Sequence, residues 1–313
     1  MKTTQIFRLA LILFAAFSIA ITGCQKEDEP APDDNDTESP SSIESLSKDD
    51  QFQQEVSDDI DRDVEAVMNG QASRSMYWWP CNVTVDSTGV INDTITYFIT
   101  YEGLNCWENL YRTGQVRVKR HVGTKWWMPG ATVDVQIINL QVTKVATGQS
   151  IVINGNRKNE NVSGGFILQL GYGVDEIIHR TSGMMTIAFD NGTNRTWNIA
   201  RRLVYTGTWQ NYVLSISGFG NAGSFSNLVT WGVTRQGDQF YISTPQPIAH
   251  KEVCGWDPCS GIHSMEIPGL DMGATLTFGY DNNNQPITGD DCPTKFKVDW
   301  HHNGNSGTVF LWL

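Results

Sequence analysis

Seven acidic residues in or near turns are the candidates for two-carboxylate chemistry: Glu102, Glu108, Asp175, Glu176, Asp290, Asp291 and Asp299. A glycoside hydrolase needs one pair of carboxyls across a sugar ring, one as acid and the other as base or nucleophile, and such a pair leaves no sequence signature. Acids in turns are equally well explained by solvation, which is the expected reading. The chain has no Gly-x-Ser-x-Gly elbow, no His-Glu-x-x-His, no phosphate loop and no dinucleotide fingerprint. No catalytic residue is therefore assigned. His301 and His302 follow Asp299-Trp300 on an expected strand, where neighbours point to opposite faces and cannot share a metal ion. Asp281-Asn282-Asn283-Asn284-Gln285 has the look of a calcium loop, but Pro286 stands where that loop needs glycine. A hairpin loop is expected there. No metal and no cofactor is implied.

The eleven tryptophans offer different chemistry. Trp78-Trp79 and Trp126-Trp127 are doublets, and Trp256 stands between cysteines. On a strand, one ring of a doublet faces inward and the other outward. An outward ring is a flat apolar platform on which a sugar can stack. Trp78, Trp79, Trp126, Trp127 and Trp256 are thus the candidate ligand contacts, against the plainer use of such rings in a β core.

Six cysteines are present. Cys81, Cys106, Cys254, Cys259 and Cys292 lack the Cys-x-x-Cys spacing of a metal site and read as structural staples. An internal echo bears on their pairing. Pro80-Cys81, a strand, a Thr-rich strand (Thr94–Phe98), Cys106 and the strand Gly114–Val118 recur in order. The second copy runs Pro258-Cys259, Met265–Ile267, Ala274–Tyr280, Cys292 and Phe296–Trp300. The echo pairs Cys81 with Cys106 and gives Cys292 either Cys254 or Cys259. Cys254 and Cys259 closing on each other is the other possibility.

These residues need elements to carry them. From Met76 onward the pattern is that of an all-β protein. Strands are expected at Asn82–Asp86, Asp93–Tyr101, Gln115–Val122, Thr132–Leu140, Phe166–Leu170, Met184–Phe189, Thr196–Tyr205, Tyr212–Ser217 and Leu228–Thr234. They predict a β-sandwich-like body over 71–313, as one domain or two fused sub-sandwiches. One amphipathic helix is expected over 47–70. Ser47 is its N-cap, Asn69-Gly70 its stop, and Phe52, Val56, Ile60, Val64 and Met68 one apolar face. Eight acids between Asp49 and Glu65 cover its other faces. The stripe predicts docking on the body or a neighbour; a calcium ion or a cationic partner is the other use of the acidic faces.

The net charge of −12 is unevenly placed. Residues 24–70 carry sixteen Asp and Glu against Lys26, Lys48 and Arg62, so the remaining body is close to neutral. Its basic clusters are Arg117-Val118-Lys119-Arg120, which reads as the solvated face of a strand, and Arg201-Arg202. A neutral body without a basic stripe argues against nucleic acid as a partner.

The N-terminus speaks to location. Lys2 and Arg8 precede an apolar run, Leu9–Ile21, too short to be an ordinary membrane span. It ends in Ile21-Thr22-Gly23-Cys24, which resembles a bacterial lipobox, so residues 1–23 read as a lipoprotein signal peptide and Cys24 as the lipidated residue. Gln25-Lys26-Glu27-Asp28-Glu29 resembles the acidic signal that sends such proteins to the outer face of the outer membrane. Residues 24–46 are rich in Asp, Glu, Pro, Ser and Thr and are expected to be a disordered tether.

The Thr-rich strand, the cysteine, Arg112-Thr113-Gly114-Gln115-Val116, then Gly279-Tyr280 and Cys292 are similar to a family of uncharacterised Bacteroidota-type surface lipoproteins with an all-β body. The likeness covers most of 76–313. It implies a cell-surface protein on a lipid anchor and no particular activity. Those proteins commonly carry two cysteine pairs, and Cys259 is additional to them. The reading is of a non-catalytic binding or structural module, glycan-binding in its sharpest form, with a glycan or a cell-envelope protein as partner. The alternatives are a glycoside hydrolase facing the medium and an envelope or adhesion component.

Overall fold

A computed structural model describes residues 41–69, 79–254, 257–289 and 291–313. The signal peptide, Cys24, the tether as far as residue 40, Trp78, Gly255, Trp256 and Asp290 lie outside the described residues. The helix, α1, spans Ser41–Met68. Fifteen strands follow: β1 (Val83–Ser87), β2 (Thr94–Leu104), β3 (Leu110–His121), β4 (Ala131–Lys144), β5 (Ser150–Asn161), β6 (Glu176–Phe189), β7 (Asn194–Thr208), β8 (Asn211–Gly218), β9 (Gly220–Ala222), β10 (Phe225–Val233), β11 (Gln239–Lys251), β12 (Pro258–Ile267), β13 (Met272–Tyr280), β14 (Lys295–His302) and β15 (Asn305–Trp312).

The all-β body is as the strand pattern predicts, and its strands form one antiparallel sheet in nearly sequential order. The position between β7 and β11 is shared by two strands lying end to end. β8 pairs with Arg201–Thr208 of β7, and β10 with the preceding residues Trp197–Ile199. In a sandwich the inner face of such a sheet would meet a second sheet. Here it meets α1. Inward side chains from β3, β5, β6, β7 and β12 all reach the helix, so the sheet curls around it. Helix and strand residues belong to one apolar core, from Ile43, Phe52, Val56, Ile60 and Val64 to Val133, Ile153, Ile187, Trp197 and Phe296.

Two details depart from the sequence pattern. The helix begins at Ser41, well before Ser47, which is enclosed inside it and is not an N-cap. Ile43 and Leu46 are buried in the shared core, and that burial carries the helix back past the local capping signal. Residues 167–169 of the expected strand at Phe166–Leu170 form a 3₁₀ turn.

The echo is architectural as well as sequential. β1–β3 and β12–β14 are three-strand meanders toward the two ends of the sheet. A disulfide ties each. Cys81 joins Cys106 with Cα atoms 5.1 Å apart, and Cys254 joins Cys292 at 5.3 Å. Cys259 is a buried free thiol. The chain-entropy estimate puts each loop closure at roughly 3–4 kcal/mol.

The glycines of the two family-like motifs sit where the sheet bends. Gly114 has φ +122°, opposite Asn139 at φ 45°, and a Cβ there would lie 2.4 Å from the Asn139 carbonyl oxygen. Gly279 has φ +99°, and its Cβ would meet the Cys259 carbonyl oxygen at 2.5 Å. The strand register shifts at both places, and such bulges increase local curvature.

Candidate functional site: a cleft over the helix

The acidic faces of α1 are mostly enclosed, and arginines from β3, β5, β7 and the β10–β11 turn neutralise them. Arg112 Nη1 donates to Asp59 and Asp63, both at 2.6 Å. Arg157 holds Asp61 at 2.9 Å and donates to the Ser57 hydroxyl. Arg201 pairs with Asp58, and Arg235 grips Asp49 through Nε at 2.7 Å and through Nη2. Arg201 is fully buried, whereas Arg117 and Arg120 of the other basic cluster are only partly covered. Docking on the body is thus the fate of the helix, and its acids serve that docking.

Two buried His–acid couples flank this row. His179 Nε2 lies 3.9 Å from Glu65, which also accepts a hydrogen bond from Trp126 Nε1. His263 Nδ1 lies 3.9 Å from Asp50. Burial pushes both imidazoles down to about 3 and both acids up, Glu65 to about 7 and Asp50 to about 6. Each couple is therefore neutral in weakly acidic conditions.

One stripe of the helix is left open. Lys48, Gln51, Glu55, Asp58 and Arg62 recur every three or four residues and form the floor of a cleft of about 440 Å³. Residues from the two ends of the sheet wall it. Asn105, Trp107 and Asn109 come from the loop before β3, and Lys144 and Gln149 flank the β4–β5 turn. His250, Asp257, His263 and Trp312 stand opposite. Both disulfides lie beside these walls: Cys106 adjoins Trp107, and Cys254 shortly precedes Asp257.

Two indole rings line the cleft while keeping much of their surface exposed, Trp107 at 47% and Trp312 at 65%. The Arg62 guanidinium lies 3.9 Å from the centre of the Trp107 ring, and Lys295 Nζ lies 4.6 Å from that of Trp312. Between them the surface is polar. Asn109 Nδ2 donates to Glu55 at 2.6 Å, and Lys144 Nζ stands 3.6 Å from the same carboxylate. Burial holds the Glu55 and Asp257 carboxyls above their usual range. The exposed indoles are flat apolar platforms, and amide, carboxylate and ammonium groups stand in the same cleft as hydrogen-bonding groups.

The sequence candidates fall largely elsewhere. Trp126 is enclosed, in a turn before β4 and not on a strand, and it serves Glu65. Trp127 is exposed, its ring tilted against Phe166 at 5.4 Å, and it does not line the cleft. Trp79 is partly exposed beside the first disulfide. Trp78 and Trp256 lie outside the described residues. Glu102, Glu108, Asp175, Glu176, Asp291 and Asp299 do not line the cleft either. Asp299 is engaged by Lys297 at 2.7 Å and Thr308 at 2.6 Å. The Asp281 carboxylate accepts two backbone N–H groups of its own loop, from Asn283 and Gln285. His301 is 3.9 Å from Glu266, and no group of three or more potential metal ligands occurs among the described residues.

Trp107 and Trp312, which line the cleft, are not among the sequence candidates. The local sign for Trp107 is its place next to Cys106, like that of Trp256 between Cys254 and Cys259, and Trp312 carries no comparable sign. Searches against protein-family models, curated proteins and solved structures find no match to this chain.

Proposed function

We propose that this chain is a lipid-anchored protein of the outer-membrane surface whose cleft binds a glycan without cleaving it. The observation that carries the glycan reading is the pair of exposed indoles, Trp107 and Trp312, along a polar cleft floored by the helix. The volume of about 440 Å³ falls in the ordinary range for small-ligand sites. The anchor rests on the lipobox-like Cys24 and the acidic run that follows it.

A polysaccharide array probed with the purified protein tests the glycan claim. Trp107→Ala and Trp312→Ala are each expected to weaken binding about tenfold, equivalent to about 1.4 kcal/mol, while Trp127→Ala leaves it unchanged. Loss of binding in Trp127→Ala alone would move the site away from the cleft. Hydrolysis of an array member would favour the glycoside hydrolase, with Glu55 and Asp257, the cleft carboxyls that partial desolvation raises, as the first residues to replace. Silence toward every glycan, with co-purification of an envelope protein, would favour the adhesion or envelope component.

The anchor has its own test. Cys24→Ala is expected to shift the protein from the detergent-soluble membrane fraction to the aqueous fraction, because the acyl chains are what hold it. Unchanged membrane retention would reject the anchor. Protection from protease on intact cells would reject surface exposure.

A further inference from the structure

One of the buried arginines facing the helix has no contacting carboxylate; Asp50 and Asp49 act on it only through space. Arg195, near the start of β7, is fully enclosed, and none of its three guanidinium nitrogens has a hydrogen-bond partner. One face of the guanidinium lies over the Phe240 ring at 4.1 Å. Arg195 lines a cavity of about 80 Å³ together with Leu46, Asp49, Thr234, Arg235 and Asp238. The nearby acids make no hydrogen bond to it. Arg235 holds both oxygens of Asp49; Asp50 Oδ2 accepts a hydrogen bond from Gln54 at 2.6 Å, while its Oδ1 has no hydrogen-bond partner and does not reach the guanidinium. Two arginines thus border one cavity, and only Arg235 has a contacting carboxylate.

Water alone would satisfy the N–H groups and leave the charge to carboxylates that do not touch it. Buried cations are normally paired, because an unpaired one carries a desolvation cost of several kcal/mol. Burial lowers Arg195 only to about 10, so it stays charged at neutral pH. The planar guanidinium presents parallel donors that match an oxyanion bidentately.

We propose that this cavity is a site for a small oxyanion, phosphate or carboxylate, held by the Arg195 guanidinium. The site is separate from the cleft and does not depend on the glycan reading. Asp238, on the same wall, opposes an anion and tempers its affinity.

Calorimetric titration of the full chain with inorganic phosphate and with acetate, at constant ionic strength set by chloride, tests this. One saturable site is expected for at least one of the two, and the tighter one identifies the oxyanion geometry. Arg195→Met, which keeps the packing on Phe240, is expected to abolish the binding, and Asp238→Asn to tighten it. Should Arg195→Met not fold, Arg195→Lys keeps the charge without the fork and is expected to weaken binding about tenfold. No saturable binding of either anion would leave the cavity to water and overturn the proposal. So would binding that survives unchanged in the folded Arg195 variant, or that weakens in Asp238→Asn.

Discussion

Arg112→Ala is expected to lower the free energy of unfolding by on the order of 3–5 kcal/mol, read from urea denaturation. The guanidinium sits between Asp59 and Asp63, each at 2.6 Å, and is almost wholly enclosed. It also donates to the Cys81 carbonyl at 3.2 Å, linking the helix to the first disulfide. Removing it leaves two carboxylates side by side out of water, the costly way to break a buried pair. Asp63 is already pushed up to about 7, by burial first and by Asp59 second, and without Arg112 it is expected to rise further. Replacing the cluster, as Arg112→Met with Asp59→Asn and Asp63→Asn, is expected to recover most of the loss, since neither carboxylate is then left buried without its guanidinium and Arg62, which also holds Asp59 at 3.0 Å, is only partly enclosed. A loss below about 1 kcal/mol for Arg112→Ala would show that the ion pairs are solvated and that apolar contacts alone seat the helix.

The second large effect is on acid stability. His179 and His263 are held near 3, against 6.5 for a free imidazole, so the unfolded chain binds protons that the folded chain refuses. Their contribution is fully present above about 6.5 and is lost as pH falls toward 3. Asp50, Asp63 and Glu65 act in the opposite sense. Their folded values of about 6, 7 and 7 lie above the unfolded ones, so their contribution is complete below about 4 and is lost as pH rises to about 7. Between about 4.5 and 6.5 the two sets oppose each other, three acids against two imidazoles, so stability falls gently as pH rises, by up to about one proton or about 1.4 kcal/mol per pH unit. Below about 4 the histidines prevail, and stability should fall as pH drops toward 3 with a slope approaching one proton, about 1.4 kcal/mol per pH unit at most, because the folded imidazoles themselves begin to protonate there. His179→Gln and His263→Gln should each flatten that limb. An acid limb unaltered in both variants would mean that neither imidazole is held neutral by the fold.

What could be read from the sequence followed from alternation. Strands such as β4 and β7 show it plainly, because their inward positions are Val133, Val135 and Ile137, or Trp197, Ile199 and Leu203. β5 escaped. Its second half reads Asn156-Arg157-Lys158-Asn159-Glu160-Asn161, with Arg157, Asn159 and Asn161 as the inward set. Arg157 and Asn159 are polar because they meet Asp61 of the helix, and Asn161 because it holds the Trp126 and Gly165 carbonyls; no local rule announces either. β11 contains Pro245 and Pro247, which argue against a strand, and it accommodates them with irregular pairing to β12. β15 opens on Asn305-Ser306-Gly307, a turn signature. The amphipathic stripe of α1 was legible, but its acids read as solvent-facing because their arginine partners lie far away in sequence. The cleft could not be read for the same reason: the ends of the sheet meet over the helix only after the strands between them have curled.

That sequence distance also bears on how the chain reaches its native state. Ser57 and Arg157 are 100 residues apart, Asp58 and Arg201 are 143, and Asp49 and Arg235 are 186. The helix is made before every strand and lies at the centre of the core, and its last partners are made well over a hundred residues later. Contacts of such separation slow folding, because the entropy of closing the loops must be met before the contacts form. The helix must therefore wait in water with Phe52, Val56, Ile60 and Val64 uncovered. Its eight carboxylates between Asp49 and Glu65 repel other copies during that wait, and the arginines that later neutralise them arrive only with the strands that bury the apolar face.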